Sequence, residues 1–358
     1  MTQDSAFPAA QPPAPGFSAH APMRLLFSVL VGANLLAWAW AWLAFADHPV
    51  LLGTAFLAWV FGLRHAVDAD HIAAIDNVTR ALMRNPKAPP GSAMHVGLYF
   101  SLGHSTVVVL AALVVAGAAG ALQDSFAGIK AVVGPIGGAV SALFLLLIAG
   151  VNIVILRSVW RSFREVRAGG AMAPEDLNTM LAGTGPLARL LRPVLRGVSK
   201  SWHMYPLGFL FGLGFDTATE IGLLGIAATQ GAHGLSPWQT LVFPALFTAG
   251  MALVDTADNA MMVRAYGWAF VHPLRKLWYN LTVTAASVLV ALLIGGVEAL
   301  SLLGEFFHLE GWVWRAIAGL NENLAGFGLL VVGIFAGCWA ISAAIYRWKG
   351  FGVAVEGA

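Results

Sequence analysis

Cysteine is almost missing: Cys338 is the only one in 358 residues, so no intrachain disulfide can form and a thiolate metal site would have a single donor. Charge is scarce too. Asp, Glu, Lys and Arg make up 11% of the chain, against about 25% in an ordinary soluble domain. There is no GxxxxGK[ST] loop, which excludes ATP-driven work through a P-loop in this chain and leaves no sign of an ATPase subunit. HExxH and repeated histidine-rich boxes are absent as well, which argues against an intramembrane metalloenzyme. A Gly-X-Y period is also lacking, so 40 glycines do not mean collagen. What remains is apolar: 58% hydrophobic residues and a mean hydropathy of +0.76 identify a polytopic membrane protein. Many small residues suit helices whose backbones approach closely in lipid.

Apolar runs near the roughly 20 residues that cross a bilayer recur at about 24–46, 50–77, 95–120, 131–156, 204–229, 239–263, 277–300 and 325–347. The expected fold is therefore all-α with eight transmembrane helices spread over 24–349. Residues 1–23, rich in Pro and Ala and without a basic n-region, read as a disordered cytoplasmic tail with no cleaved signal peptide, and 350–358 as a C-terminal tail. Alternating the helices from a cytoplasmic N-terminus puts every Lys and Arg on the inner side except Lys130, Arg315 and the intrahelical Arg64. That bias predicts both termini in the cytoplasm and a multi-pass protein of the cell inner membrane. The inner side then holds Arg80 and Arg84 and a basic loop over 157–203. The loop lacks the interleaved aromatics that stack on bases, so nucleic acid is not an expected partner. Glu298, Glu305, Glu310 and Glu322 read as solvated charge on the outer side.

Against this background the segment RHAVDADHIAAIDNVTR, residues 64–80, is anomalous. His65, Asp68, Asp70, His71 and Asp76 stand at membrane depth, where ionisable groups are expensive and mark functional sites. Rise along each helix puts His65 roughly 22 Å from the outer surface, and His104 roughly 14 Å, Asp216 roughly 18 Å and Glu220 roughly 24 Å from the inner one. Asp255 and Asp258 lie roughly 24 to 29 Å in from the outer surface. These depths overlap, which points to one shared site or path. On a continuous helix His65, Asp68 and His71 span an arc of about 120°, Asp76 lies near His65, and Asp70 turns away or leaves an interrupted helix. Imidazoles with carboxylates and no thiolate make a nitrogen and oxygen site, which suits Ni, Co, Zn or Cu(II) more than Mg or Ca. The carboxylates offset a divalent charge that lipid cannot solvate.

Four segments carry a resemblance: RHAVDADHI at 64–72, FSLGHSTVV at 100–108, LGFDTATE at 213–220 and GMALVDTADN at 250–259. Together they resemble the signature motifs of the nickel/cobalt transporter (NiCoT) family of eight-helix secondary metal permeases. The likeness runs from about Arg24 to Lys349 and is nearest to the high-affinity nickel permeases of bacterial hydrogenase systems. It implies energised uptake of Ni²⁺, in some members Co²⁺, with the metal as cargo and no cofactor. It also implies a metal path formed by His65, Asp68, Asp70 and His71 in helix two, His104 in helix three, Asp216 and Glu220 in helix five, and Asp255 and Asp258 in helix six. Val67 follows the form that looks nickel-preferring. A nickel or cobalt exporter is the alternative of the same fold, but exporters usually carry a histidine-rich cytoplasmic stretch and the 157–203 loop ends before any histidine but His203.

Overall fold

A computed structural model of the protein describes residues 20–84, 89, 91–117, 123–167, 200–214, 218–269, 273–323, 331, 333–334 and 337. Every regular element among them is helical. Lipid offers no partner to a free N–H or C=O, so a chain this apolar satisfies its backbone within helices. The order is α1 (His20–Phe45), α2 (Pro49–His65), α3 (Ala69–Arg84), α4 (Val96–Gly117) and α5 (Gln123–Arg167). After a 3₁₀ turn at Ser201–His203 come α6 (Met204–Gly212), α7 (Ala218–Ala232), α8 (Pro237–Thr240), α9 (Val242–Ala269), α10 (Pro273–Phe306) and α11 (Trp312–Glu322). Five helices are long and apolar enough to cross a membrane, and α2 with α3 makes a sixth span if the two are counted as one. The expected helix at 325–347 lies largely outside the described residues.

The apolar run at 50–77 is not one helix. α2 and α3 meet at a bend of 51°, and the turn between them is closed by Val67 N–H to Arg64 O (3.1 Å) and Asp68 N–H to His65 O (2.9 Å). Hydropathy sums over such a break without registering it. The run at 204–229 likewise appears as α6 and α7, on either side of residues 215–217, which are not described. α5 continues past the expected limit to Arg167, so Arg157, Arg161 and Arg164 ride exposed on a helical extension instead of opening a loop. α10 reaches Phe306 and carries Glu298 in its interior, 6% exposed and accepting a 2.9 Å bond from Ser141 Oγ. The reading of Glu298 as solvated is thus corrected, while Glu305, Glu310 and Glu322 are exposed. Arg80 is also no surface charge, being 1% exposed within α3. α11, an amphipathic helix with no buried residue, had no counterpart among the apolar runs.

Close approach at glycine sets the core. α4 and α6 cross where Gly103 faces the Tyr205 carbonyl and Gly208 faces the Phe100 carbonyl, each so near that a Cβ would collide with backbone. α2 meets α9 in the same way, Gly62 against the Phe247 carbonyl. Small residues permit this packing, the usual means of helix association in lipid. Asn34 of α1 adds a polar clamp, donating to Ala249 O (3.0 Å) and accepting from Trp59 Nε1 (2.9 Å). α5 pairs mainly with α10, and α3 is wedged among α4, α5, α9 and α10. Leu36, Leu43, Val50 and Leu289 point outward at 62 to 83% exposed, the surface expected of a protein solvated by acyl chains.

Candidate metal site

His65 is the last residue of α2, and His71 lies in the first turn of α3. On an unbroken helix their six-residue offset would separate them by about 9 Å along the axis. The break instead brings their ring centroids to 4.6 Å. α4, brought close to α6 and α9 at Gly103 and Gly97, supplies His104, whose ring centre is 4.7 Å from that of His65 and 4.8 Å from that of His71. One nitrogen from each of the three imidazoles lies within 4.8 Å of the others. All three residues are at most 3% exposed. Phe100 packs edge-on to His71 at 4.8 Å and Phe247 lies 5.5 Å from His65, so apolar walls limit how the rings can turn.

The carboxylates divide around this triad. Glu220, at the start of α7, brings Oε1 to 2.9 Å from His104 Nε2 and 3.9 Å from His65 Nε2. The two Nε2 atoms of His65 and His104 face each other at 2.9 Å. A pair of facing ring nitrogens can share one proton, or both can turn their lone pairs to one cation. The opposite nitrogen of His65, Nδ1, is 3.0 Å from Asp68 Oδ2 and 3.2 Å from Thr219 Oγ1. Thr219 is the hydrogen-bond partner of this nitrogen, and Asp68 stands beside it as an outer carboxylate, the kind of neighbour that orients a ligating imidazole. Asp255 Oδ1 stands 3.5 Å from His71 Nδ1. Neither nitrogen of His71 and neither oxygen of Asp255 or Asp258 has a hydrogen-bond partner among the described residues. Buried polar groups are nearly always satisfied, so this concentration of open donors and acceptors at 0 to 9% exposure makes the place a candidate ligand site.

The sequence-predicted residues therefore fall into groups. His65, His71 and His104 converge, with Glu220, Asp68 and Asp255 around them. Asp258 follows one turn beyond Asp255 on α9. Asp70 is half-buried in the first turn of α3, and no hydrogen bond or ion pair joins it to the triad among the described residues. Asp216 lies outside them. Asp76 does not approach the triad: it accepts bonds from the Tyr266 and Ser287 hydroxyls and pairs with Arg80. Thr219 was missed as an individual residue, although it sits within LGFDTATE and that motif was the signal for it.

The NicO family of high-affinity nickel-transport proteins matches residues 51–345. The chain is 57% identical over 324 residues to the hydrogenase nickel incorporation protein HupN of Bradyrhizobium diazoefficiens, covering 90% of this chain and 84% of that one. It is 52% identical over 330 residues to the high-affinity nickel transport protein of Cupriavidus necator, covering 92% and 93%. A cobalt transport protein, NhlF of Rhodococcus rhodochrous, is 40% identical over 306 residues, covering 83% and 85%. No solved structure matches the chain. With a buried imidazole triad inside an apolar helical bundle, and with likeness over nine-tenths of its length to nickel-transport proteins, the chain is a multi-pass membrane protein that belongs to the NicO family of transporters, not to a family of enzymes.

Proposed function

We propose that this protein is a secondary transporter that brings Ni²⁺ inward across the cell inner membrane, with Co²⁺ as a second cargo, through eight spans whose two termini are cytoplasmic. The observation that carries the proposal is the convergence of His65, His71 and His104, with Glu220 at 2.9 Å from His104, in the buried interior. Three imidazoles and a carboxylate favour late first-row divalent ions over the hard ions that seek oxygen alone. Asp68 serves as the outer partner of His65 and Asp255 as that of His71, and Asp258, Asp216 and Asp70 add carboxylates to the route. The names of the similar proteins, nickel transport in most and cobalt transport in one, agree with this cargo.

The test is uptake of ⁶³Ni by cells at nanomolar metal, with and without the chain, and with Co²⁺, Zn²⁺ and Mn²⁺ as competitors. Accumulation above the empty-vector level, competed by Co²⁺ and not by Mn²⁺, is expected. His65→Ala and His71→Ala are each expected to abolish it at normal membrane abundance; uptake that survives both substitutions would overturn the site. Asp216→Asn is expected to abolish transport if that charge lines the path.

A further inference from the structure

α3 is a half-helix with a functional residue in its first turn. Because the backbone ladder is interrupted at Ala66–Asp68, α2 cannot by itself fix where α3 lies. Further along α3, Asp76, Asn77 and Arg80 are 0%, 5% and 1% exposed. At 100° per residue they sit about 120 to 180° round the helix from His71, on the side away from the imidazole triad. Asp76 and Asn77 reach three neighbouring helices, and Arg80 ties the two together from within α3. Tyr266 of α9 donates to Asp76 Oδ1, and Ser287 of α10 donates to Oδ2 at 2.9 Å. Arg80 lies 3.5 Å from the same Oδ2 and donates to Asn77 Oδ1 at 2.7 Å. Asn152 of α5 donates to that Asn77 oxygen at 2.6 Å.

Three helices thus grip the far face of α3. Such a knot is an inefficient way to add stability, since well-packed apolar residues often serve a buried ion pair's place equally well. Its directional bonds do what apolar packing cannot: they fix the rotation and height of a half-helix that has no continuous partner. A site residue must be held to within about 0.5 Å to act, which requires locked supporting elements.

We propose that Asp76, Asn77 and Arg80 are positioning residues for His71. By fixing α3 against α5, α9 and α10 they hold its imidazole 4.6 Å from the ring of His65 and 4.8 Å from that of His104. This rests on the reading of the triad as the nickel site.

The experiment uses the full chain carrying Tyr266→Phe, Ser287→Ala or Asn152→Leu, each of which removes a bond to Asp76 or Asn77 at a residue outside the triad. Four quantities are measured: membrane abundance, thermal melting in detergent, the KM for ⁶³Ni uptake, and the number of imidazole scatterers around bound Ni²⁺ by X-ray absorption. The expected result is a rise in KM of about tenfold, the lower end of what supporting partners of metal ligands contribute, with the imidazole count falling from three to two. Arg80→Lys, which keeps the charge, is expected to retain more affinity than Arg80→Gln. A lowered melting temperature with unchanged KM and three imidazoles in all three variants shows a merely structural knot and overturns the proposal. If the unsubstituted chain neither accumulates nor binds nickel, the functional reading fails first; if it does both and the variants match it, only the positioning role falls.

Discussion

His65 has different surroundings at its two nitrogens, and that asymmetry is the most specific chemistry in the site. Nδ1 faces Asp68 and Thr219, while Nε2 faces His104 and Glu220. In the proposed site the first pair orients the ring and the second presents it to the ion. Asp68→Ala is therefore expected to leave three imidazoles in place yet weaken nickel affinity by about 10 to 100-fold, the range for outer partners of metal-bound histidines. Equilibrium binding of ⁶³Ni to purified protein measures it, and an unchanged Kd means Asp68 does not orient the ring. Glu220→Gln keeps the shape and removes the charge, so it should impair binding of a dication more than it alters folding; a melting curve beside the binding curve separates the two. Sequence made the histidines legible because an ionisable group at membrane depth is costly wherever its side chain points. It could not say which carboxylate meets which ring. Asp76 shares His65's azimuth on a straight helix, but once the helix breaks it faces α9 and α10 instead.

At the scale of elements, the break between α2 and α3 joins sequence to site. Irregular backbone at membrane depth is tolerated only where protein or a cavity covers it, and here His65, Ala66 and Asp68 are all buried. The chain carries no proline at the turn, so the usual mark of an interrupted helix was missing. What the residues did reveal was Asp70 turned off the arc of its neighbours, and among the described residues it forms no hydrogen bond or ion pair with the triad. The glycine crossings give this scale its prediction. Gly208→Ala would press a methyl group into the Phe100 carbonyl and force α4, with His104, away from α6. Overpacking of this kind costs about 1–3 kcal/mol, so a lower melting temperature and reduced uptake are expected together. Gly53→Ala in α2 meets nothing within 4 Å; on helix propensity alone it should stabilise by about 0.5–1 kcal/mol. Equal melting temperatures for the two variants would remove the close-approach argument for the α4–α6 crossing.

For the whole molecule, an apolar bundle around a cation site poses the question of what drives the cation. The sequence has no P-loop for ATP hydrolysis, so the secondary-transport reading draws its energy from gradients. A dication moving inward gains about 4.6 kcal/mol per 100 mV at roughly 2.3 kcal/mol per charge. That is enough for an accumulation ratio on the order of 10³ at 100 mV, inside negative. Proteoliposomes holding the purified protein are expected to take up ⁶³Ni when a potassium diffusion potential is imposed with valinomycin, and to lose most of that uptake when potassium is equal on both sides. The carboxylates beside the triad offer a second possibility, exchange of protons for the ion, and the same vesicles separate it. Uptake driven by an outward-directed proton gradient at zero potential, with no response to valinomycin, would replace potential-driven uniport with exchange. If instead the potential suffices, the carboxylates act as fixed counter-charge: Asp255 and Asp258 then serve to lower the barrier for a desolvated dication, and transport should rise steeply with voltage while showing little dependence on the proton gradient.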